Sequence, residues 1–227
     1  MSPPANADAW GLPRVLEFFE TRRAATTEVY PSEWHFLEGR LHEGVSVLDI
    51  GCAQGGFASI IGEHVGDYSY TGLDINAEMV RRAHHRHPRH TFHHVPEGDY
   101  SVLGEAHFEL VLVLGILHLH ETWRDTIAAA WRHTGQCLIL DLRETDGSSI
   151  EDKSVSYMKM DFHGGGARHA RATLPYNILN STEASGIVSA LCRGAGGVLE
   201  YGYEHPVTAA AVTPARQVTT RVYCIER

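Results

Sequence analysis

The sequence predicts an α/β protein built on a parallel sheet. Apolar runs of strand length alternate with segments of helical periodicity through the first two thirds of the chain, which is typical of parallel strands joined by crossover helices. One run, Phe108–Leu114, is apolar on both faces, as a central parallel strand requires. With 227 residues, 43% of them hydrophobic, the chain is large enough for one domain with a full core.

Seven segments have the composition expected of β-strands. Five fall in the alternating region, and two lie in the tail, where β-branched and aromatic residues are frequent. In chain order, the predicted strands are Val45–Ile50, Tyr68–Leu73, Thr91–Val95, Phe108–Leu114, Gln136–Asp141, Val198–Tyr203 and Val218–Ile225.

Three helices are predicted by capping residues followed by apolar residues at helical spacing. Asn76 is suited to cap the first of them, and Thr122 with Asp125 resembles a capping box ahead of the second. Asn180 with Glu183 repeats the signal for a late helix that ends near a cluster of glycines.

Composition and charge disfavour several classes of function. The formal charge of −9 and the pI of ≈ 5.9 disfavour a nucleic-acid partner, because phosphate binding relies on Lys and Arg. The four cysteines have no CxxC spacing, which favours reduced thiols and a cytoplasmic location. Neither a signal peptide nor a membrane span is evident, so no membrane association is expected.

Sixteen histidines are unusual, and many of them cluster between Ala83 and His94. This segment looks like a helix end, a break at Pro88 and a strand, so its imidazoles would point in different directions. We therefore predict a polar surface there and no metal site.

The ends of the predicted strands carry the residues that indicate chemistry, because ligands of open α/β sheets bind beyond the carboxyl ends of the strands. After Asp49, the glycines Gly51 and Gly55 would let backbone amides approach a ligand near the start of the next helix. Asp74 ends the second strand, where an acid can accept both hydroxyl hydrogens of a ribose. After the third strand, Asp99 could bind an adenine amino group and Tyr100 could stack on its ring.

Taken together in this order, these residues resemble the class I S-adenosylmethionine-dependent methyltransferases over roughly residues 45–142. The resemblance implies a Rossmann-like sheet in the order 3-2-1-4-5-7-6, with the last strand antiparallel and helices on both faces. It implies S-adenosylmethionine as the cofactor, with Asp49 near its methionine part, Asp74 at the ribose and Asp99 on the adenine side. The full set of implied cofactor contacts is Asp49, Gly51, Cys52, Ala53, Gly55, Asp74, Ile75, Asp99, Tyr100 and Leu114.

The chain departs from the family pattern in two places. Ala53 stands where the middle glycine of the first loop is common and Gly56 is added, so the local turn can differ. Glu109 replaces an aspartate at the start of the fourth strand, far from the strand end that would bind the cofactor.

The chain divides, on this interpretation, into four parts of a single domain. A cap at residues 1–40 and a lid at 143–177 would cover the strand ends. Residues 41–142, between the cap and the lid, would form the cofactor-binding core. Residues 178–227, after the lid, would complete the sheet.

A methyl acceptor with a hydroxyl or amine would need a base, and histidine is the usual candidate. His118 and His120 follow the fourth strand, and they would face opposite ways if the strand continued, whereas a helical turn would change that. The insertion adds Asp161 and His163 as further candidates.

We predict O-, N- or C-methylation of a small molecule, such as a metabolite or sugar derivative. Two alternatives are an NAD-dependent oxidoreductase, which would use the same loop and Asp74, and a non-catalytic module that binds a partner protein. A homodimer formed through the aromatic start or the late strands is a further expectation.

Overall fold

The computed structural model of the protein describes residues 6–160 and 172–227. Asp161 and His163 lie outside these residues. The helices of the described chain are α1 (Asn6–Trp10), α2 (Pro13–Thr21), α3 (Pro31–Leu37), α4 (Gly56–Gly62), α5 (Ala77–Arg86), α6 (Trp123–His133) and α7 (Ser181–Leu191), with short 3-10 turns at Thr26–Glu28, Glu38–Arg40, Pro96–Gly98, Tyr100–Leu103 and Leu117–Leu119.

A mixed sheet forms the centre of the molecule, and its order confirms the prediction. The order is β3-β2-β1-β4-β5-β11-β9, with β11 antiparallel to both of its neighbours. All seven predicted strands are present. The strands are β1 (Val45–Ile50), β2 (Tyr68–Asp74), β3 (Thr91–His94), β4 (Phe108–Val113), β5 (Thr134–Thr145), β6 (Tyr157–Lys159), β7 (Thr173–Pro175), β8 (Leu179–Asn180), β9 (Gly197–Pro206), β10 (Ala211–Val212) and β11 (Gln217–Glu226).

The structure extends the prediction in two respects. β5 runs past Asp141 to Thr145, because β11 pairs with it as far as Glu144 and β8 pairs with its last two residues. The short strands β6, β7 and β10 form a separate antiparallel sheet, and segments of two or three residues are too short for a periodic signal in the sequence.

Two of the three predicted caps form as expected. The Asn76 side chain accepts hydrogen bonds from the amides of the next turn, and Asn180 does the same at the start of α7. Thr122 does not cap α6, so that prediction is wrong: its side chain makes no bond to the helix, and its hydroxyl lies 3.4 Å from Nδ1 of His120. α6 is held instead by the buried side chains on its inner face.

Apolar side chains cover both faces of the sheet. Val47 and Leu48 are neighbours on β1 and point to opposite faces, where they join different clusters. α3, α4 and α5 pack on one face, and α6 and α7 on the other. No helix within residues 6–160 and 172–227 is long and apolar enough to cross a membrane.

A third apolar cluster forms a roof over the carboxyl ends of the strands. It joins Val15 and Leu16 of α2 to Leu174 of the small sheet, and it includes Met79 and Leu119, which follow β2 and β4. The roof and the strand ends together enclose the candidate site.

Candidate active site

A cavity of about 800 Å³ lies between the roof and the carboxyl ends of β1, β2 and β4. Pockets for small molecules usually have volumes of about 300 to 1,000 Å³. The structure brings most of the predicted residues together in its wall: Asp49, Gly51, Cys52, Ala53, Asp74, Ile75, Tyr100, Leu114, His118 and His120.

The loop after β1 turns sharply beneath this cavity. Gly51 has φ +85°, and a Cβ at this position would lie 2.7 Å from the side chain of Ile116. Ala53, the departure from the glycine pattern, also adopts a left-handed conformation with φ +47°, which is uncommon for a residue with a side chain. Gly55 has φ +77° but does not line the cavity, because it faces His87.

Asp49 is a buried acid at the floor of the cavity. The Tyr70 hydroxyl donates a hydrogen bond to it. Burial raises the pKa of Asp49 to about 7, while the Tyr70 bond and the positive charge of Arg23 act in the opposite direction. An ionised carboxylate in such a place is stabilised by a nearby cation.

Asp74 braces the loop from the end of β2. Its two oxygens accept hydrogen bonds from the backbone amides of Ala53 at 2.9 Å and Asn76 at 2.8 Å. Burial raises its pKa to about 6, against the effect of these bonds. Each carboxylate oxygen has a second lone pair, so Asp74 can brace the loop and still accept from ligand hydroxyls.

The residues after β3 divide between two surfaces. Tyr100 lines the cavity, and its hydroxyl lies 2.9 Å from that of Thr126. Asp99 is exposed and does not line the cavity, and its carboxylate accepts from the amide of Ser101 at 3.0 Å. This bond lowers its pKa.

The N-terminal segment is tied directly to the two loops that carry Asp49 and Asp74. The buried side chain of Gln54 donates to the carbonyl of Leu16 at 2.6 Å, and Asn76 donates to the carbonyl of Ala7 at 2.9 Å. Three aromatic residues of this segment, Trp10, Phe18 and Phe19, face the cavity.

Arg23 is a central residue of the site that the sequence did not reveal. Its backbone has φ +55°, and its carbonyl packs so closely on Gly56 that a Cβ there would lie 2.0 Å away. Its Nη2 donates to Glu33 at 2.7 Å, and its Nη1 is 3.2 Å from where a Cβ of Gly115 would stand. The cap thus places a guanidinium over the end of β4.

Glu33 holds this arginine from the start of α3. Its side chain is 1% exposed, and burial raises its pKa, while Arg23 opposes that effect. The Arg23 guanidinium also lies 5.5 Å from the ring of Tyr30 and 5.2 Å from that of Phe57, distances at which a cation is attracted to an aromatic face.

The residues Leu117–Leu119 form a 3-10 turn, so the strand does not continue and both histidines line the cavity. Asn177 fixes the turn: its amide donates to the carbonyl of His118 at 2.8 Å, and its side chain donates to that of His120 at 2.9 Å. Burial lowers the pKa of His120 to about 4 and that of His118 well below its usual value, which favours neutral rings.

Asp141 and Arg143 form a second buried ion pair at the end of β5. Asp141 accepts from the amide of Gly115 at 2.5 Å and from Nη1 of Arg143 at 2.5 Å. Arg143 lines the cavity. A signal for Asp141 was present, because it ends a predicted strand, and the ends of the first four strands had supplied the other site residues; Arg143 lies two residues beyond that end, in the segment predicted as a lid.

Part of the chain is similar to a known family. Residues 48–138 match the family described as methyltransferase domain. This match, together with the fold, supports a domain of the class I methyltransferase type.

A curated relative of the methyltransferase domain is the fatty-acid O-methyltransferase of Mycolicibacterium smegmatis, 31% identical over 106 residues. The match covers 44% of this chain and 38% of that enzyme, so the chain aligns with less than half of the relative.

Two solved structures share the fold of the methyltransferase domain at low sequence identity. The N-terminal domain of EvdMO1 with SAH bound is 16% identical, with a TM-score of 0.59, and the match covers 86% of this chain and 79% of that one. The 1,6-didemethyltoxoflavin N1-methyltransferase of Burkholderia thailandensis is 18% identical, with a TM-score of 0.54. This match covers 86% of this chain and 76% of that one.

The acids and histidines of the methyltransferase domain do not form a metal centre in the part of the chain that the structure describes. Within it, no group of three or more His, Cys, Asp or Glu side chains is placed to hold an ion. The histidines between Ala83 and His94 form separate contacts, such as that of His84 with the carbonyl of Phe92 at 2.9 Å.

Proposed function

We propose that the protein transfers a methyl group from S-adenosylmethionine to a small-molecule acceptor. One observation carries the proposal: the ends of β1, β2 and β4 converge on a single cavity that presents the buried acids Asp49 and Asp74. The cofactor fits this donor set, because it combines a ribose, an adenine and a positively charged sulfonium.

Each part of the cofactor has a suitable group in the wall. Asp74 would accept from the ribose hydroxyls, and Tyr100 would lie beside the adenine. Asp49 would face the positively charged amino and sulfonium end, where its burial makes a cation favourable. When bound, S-adenosylmethionine supplies an activated methyl group, and the protein has to hold the acceptor in line with it.

The roof favours a small acceptor. Trp10, Phe18 and Phe19 line the cavity from the N-terminal segment, and their aromatic rings suit a small apolar acceptor better than a polymer. The related proteins are named for acceptors as unlike as a fatty acid and didemethyltoxoflavin, so the acceptor class has to be inferred from the residues of this chain.

Calorimetry with S-adenosylhomocysteine and with NAD, run in parallel, tests the cofactor. We expect only S-adenosylhomocysteine to bind, with affinity lost in Asp74→Ala and kept in Glu105→Ala, an exposed acid remote from the cavity. Binding of NAD alone would favour the oxidoreductase alternative. Binding of neither ligand at millimolar concentration would rule out both and leave the non-catalytic module.

A further inference from the structure

We propose that the methyl acceptor is a carboxylic acid with an apolar body, that Arg143 beside His118 holds its carboxylate, and that a carboxylate oxygen receives the methyl group. This inference rests on the proposed function and names its substrate class.

Arg143 has the placement of an anion anchor. Its side chain is 11% exposed, and it lines the cavity next to the turn that carries the histidines. Within residues 6–160 and 172–227 it contacts Asp141 and the hydroxyl of Tyr176. A guanidinium has five N–H donors in a planar fork that matches a carboxylate, so these two contacts leave capacity for a ligand.

His118 lies beside this arginine. It is 6% exposed, its ring is 5.6 Å from that of Tyr176, and its buried Nδ1 has no hydrogen-bond partner among the described residues. A buried polar atom of this kind is costly unless something pairs with it. As a neutral imidazole with an N–H, it can donate to an oxygen of a bound carboxylate.

A second guanidinium reinforces the positive potential. Arg23, Arg143 and His118 all line the cavity, and the two guanidinium charges lower the pKa of His118. The acids on this side, Asp141 and Glu33, each hold one of the two arginines. An acidic acceptor would therefore meet two oriented cations, whereas a cationic amine would be repelled.

Apolar side chains of the roof form much of the remaining wall. Trp10, Phe19 and Leu119 face the cavity and belong to the roof. A side chain that is buried there gains the free energy of removing apolar surface from water. The acceptor is accordingly an acid whose body is an alkyl or aryl group.

The chemistry is consistent with the neutral histidines. A carboxylic acid has a pKa near 4 and is already ionised at neutral pH, so no base has to remove a proton. A lone pair of the carboxylate oxygen attacks the methyl carbon, the carbon–sulfur bond breaks, and its electron pair returns to sulfur. The products are a methyl ester and S-adenosylhomocysteine. The negative charge of the carboxylate and the positive charge of the sulfonium cancel in this step, and a site that excludes water favours such a loss of charge.

Matched acceptors test the substrate class without any mutation. We would incubate the protein and S-adenosylmethionine with dodecanoic acid, 3-phenylpropanoic acid, and the alcohol, amine and amide of the same bodies, and identify products by mass spectrometry. We expect methyl esters of the acids, with kcat/KM at least about tenfold above every other compound. Preference for an alcohol or amine, methylation of an acid at carbon, or no binding of either acid to the S-adenosylhomocysteine complex would overturn the inference. Binding of S-adenosylhomocysteine itself would still stand, so the proposed function is judged separately.

Variants of Arg143 test the anchor. A charged hydrogen bond contributes about 1.5 to 3 kcal/mol, and 1.4 kcal/mol is tenfold, so Arg143→Met should raise KM for the acid about 10- to 100-fold. Arg143→Lys keeps a positive charge but loses the planar fork of donors, so its KM should lie between those of the parent and of Arg143→Met. The affinity for S-adenosylhomocysteine should stay within about twofold in both variants, which shows that they are folded. Arg81→Met, at a surface arginine that is paired with Glu78, is the control. An unchanged KM in folded Arg143→Met would exclude the anchor.

Discussion

The acidic and the basic residues of the cavity wall come from the chain in different ways. The acidic side, comprising Asp49, Ala53 and Asp74, comes from the ends of two consecutive strands. The basic side, comprising Arg23, His118 and Arg143, needs residues from the cap, the turn after β4 and the end of β5, with Asn177 as a support. Acids with raised pKa line one side, and guanidiniums with neutral imidazoles line the other.

Under the two proposals, one cavity holds two ligands of opposite charge. The acidic residues would favour the cationic cofactor and the basic residues the anionic acceptor. The acidic side also depends on short segments of chain, whereas the basic side exists only when distant segments pack correctly.

Loss of the cap arginine should have the largest effect. Arg23→Met leaves Glu33 buried without its cation, and breaking such a pair typically destabilises by about 3 to 5 kcal/mol. Urea denaturation measures the change. The double variant Arg23→Met with Glu33→Gln also removes the unpaired buried carboxylate, so it should recover part of the lost free energy of unfolding. A single variant within about 0.5 kcal/mol of the parent would show that the basic side does not depend on this pair.

Asp49 should make stability depend on pH. Since its pKa is about 7 in the folded protein and near 4 when unfolded, the folded state binds the proton more tightly. The stability that this provides is complete below pH 4 and is lost as pH rises to 7. Asp49→Asn should therefore be more stable at pH 8, by up to about 4 kcal/mol. Chemical denaturation at pH 5 and pH 8 measures this, and equal pH dependence in both proteins would contradict it.

The contact between the cap and α4 can be tested through glycine. In Gly56→Ala, the new Cβ would meet the carbonyl of Arg23, and overpacking of this kind costs about 1 to 3 kcal/mol. Gly186→Ala is the matched control, because nothing lies within 4 Å of a Cβ there and alanine favours a helix, so it should stabilise by about 0.5 to 1 kcal/mol. Thermal melts compare the two, and equal behaviour would show that the cap is loosely held.

The smallest effect is expected at Asp99. Asp99→Ala should lose only its bond to Ser101, about 0.5 to 1 kcal/mol, and should change the affinity for S-adenosylhomocysteine less than about twofold. Calorimetry measures the affinity of Asp99→Ala for S-adenosylhomocysteine in parallel with that of Asp74→Ala, which should lose it. A tenfold loss of affinity in the Asp99 variant would place this carboxylate at the ligand after all.

Much of the fold could be predicted because its signals are local. The period of apolar residues gave all seven main strands, and Asn76 and Asn180 marked two helix starts. Thr122 was misassigned because a cap sequence does not guarantee cap geometry. The cytoplasmic location and the homodimer stay predictions.

The acidic side of the site was equally local, since each acid directly ends a strand. Asp99 differs, because the 3-10 turn Pro96–Gly98 separates it from the end of β3 and its exposed carboxylate accepts from the amide of Ser101.

The sequence by itself determined the class of fold, the strand order through its resemblance, and the loop that presents Asp49 and Asp74, because neighbours along the chain set backbone conformation. Only the tertiary structure decided that Arg23 reaches the end of β4, that Arg143 stands beside His118, and that burial keeps both histidines neutral. Those properties depend on desolvation and on contacts between segments far apart in the chain, and packing alone creates them.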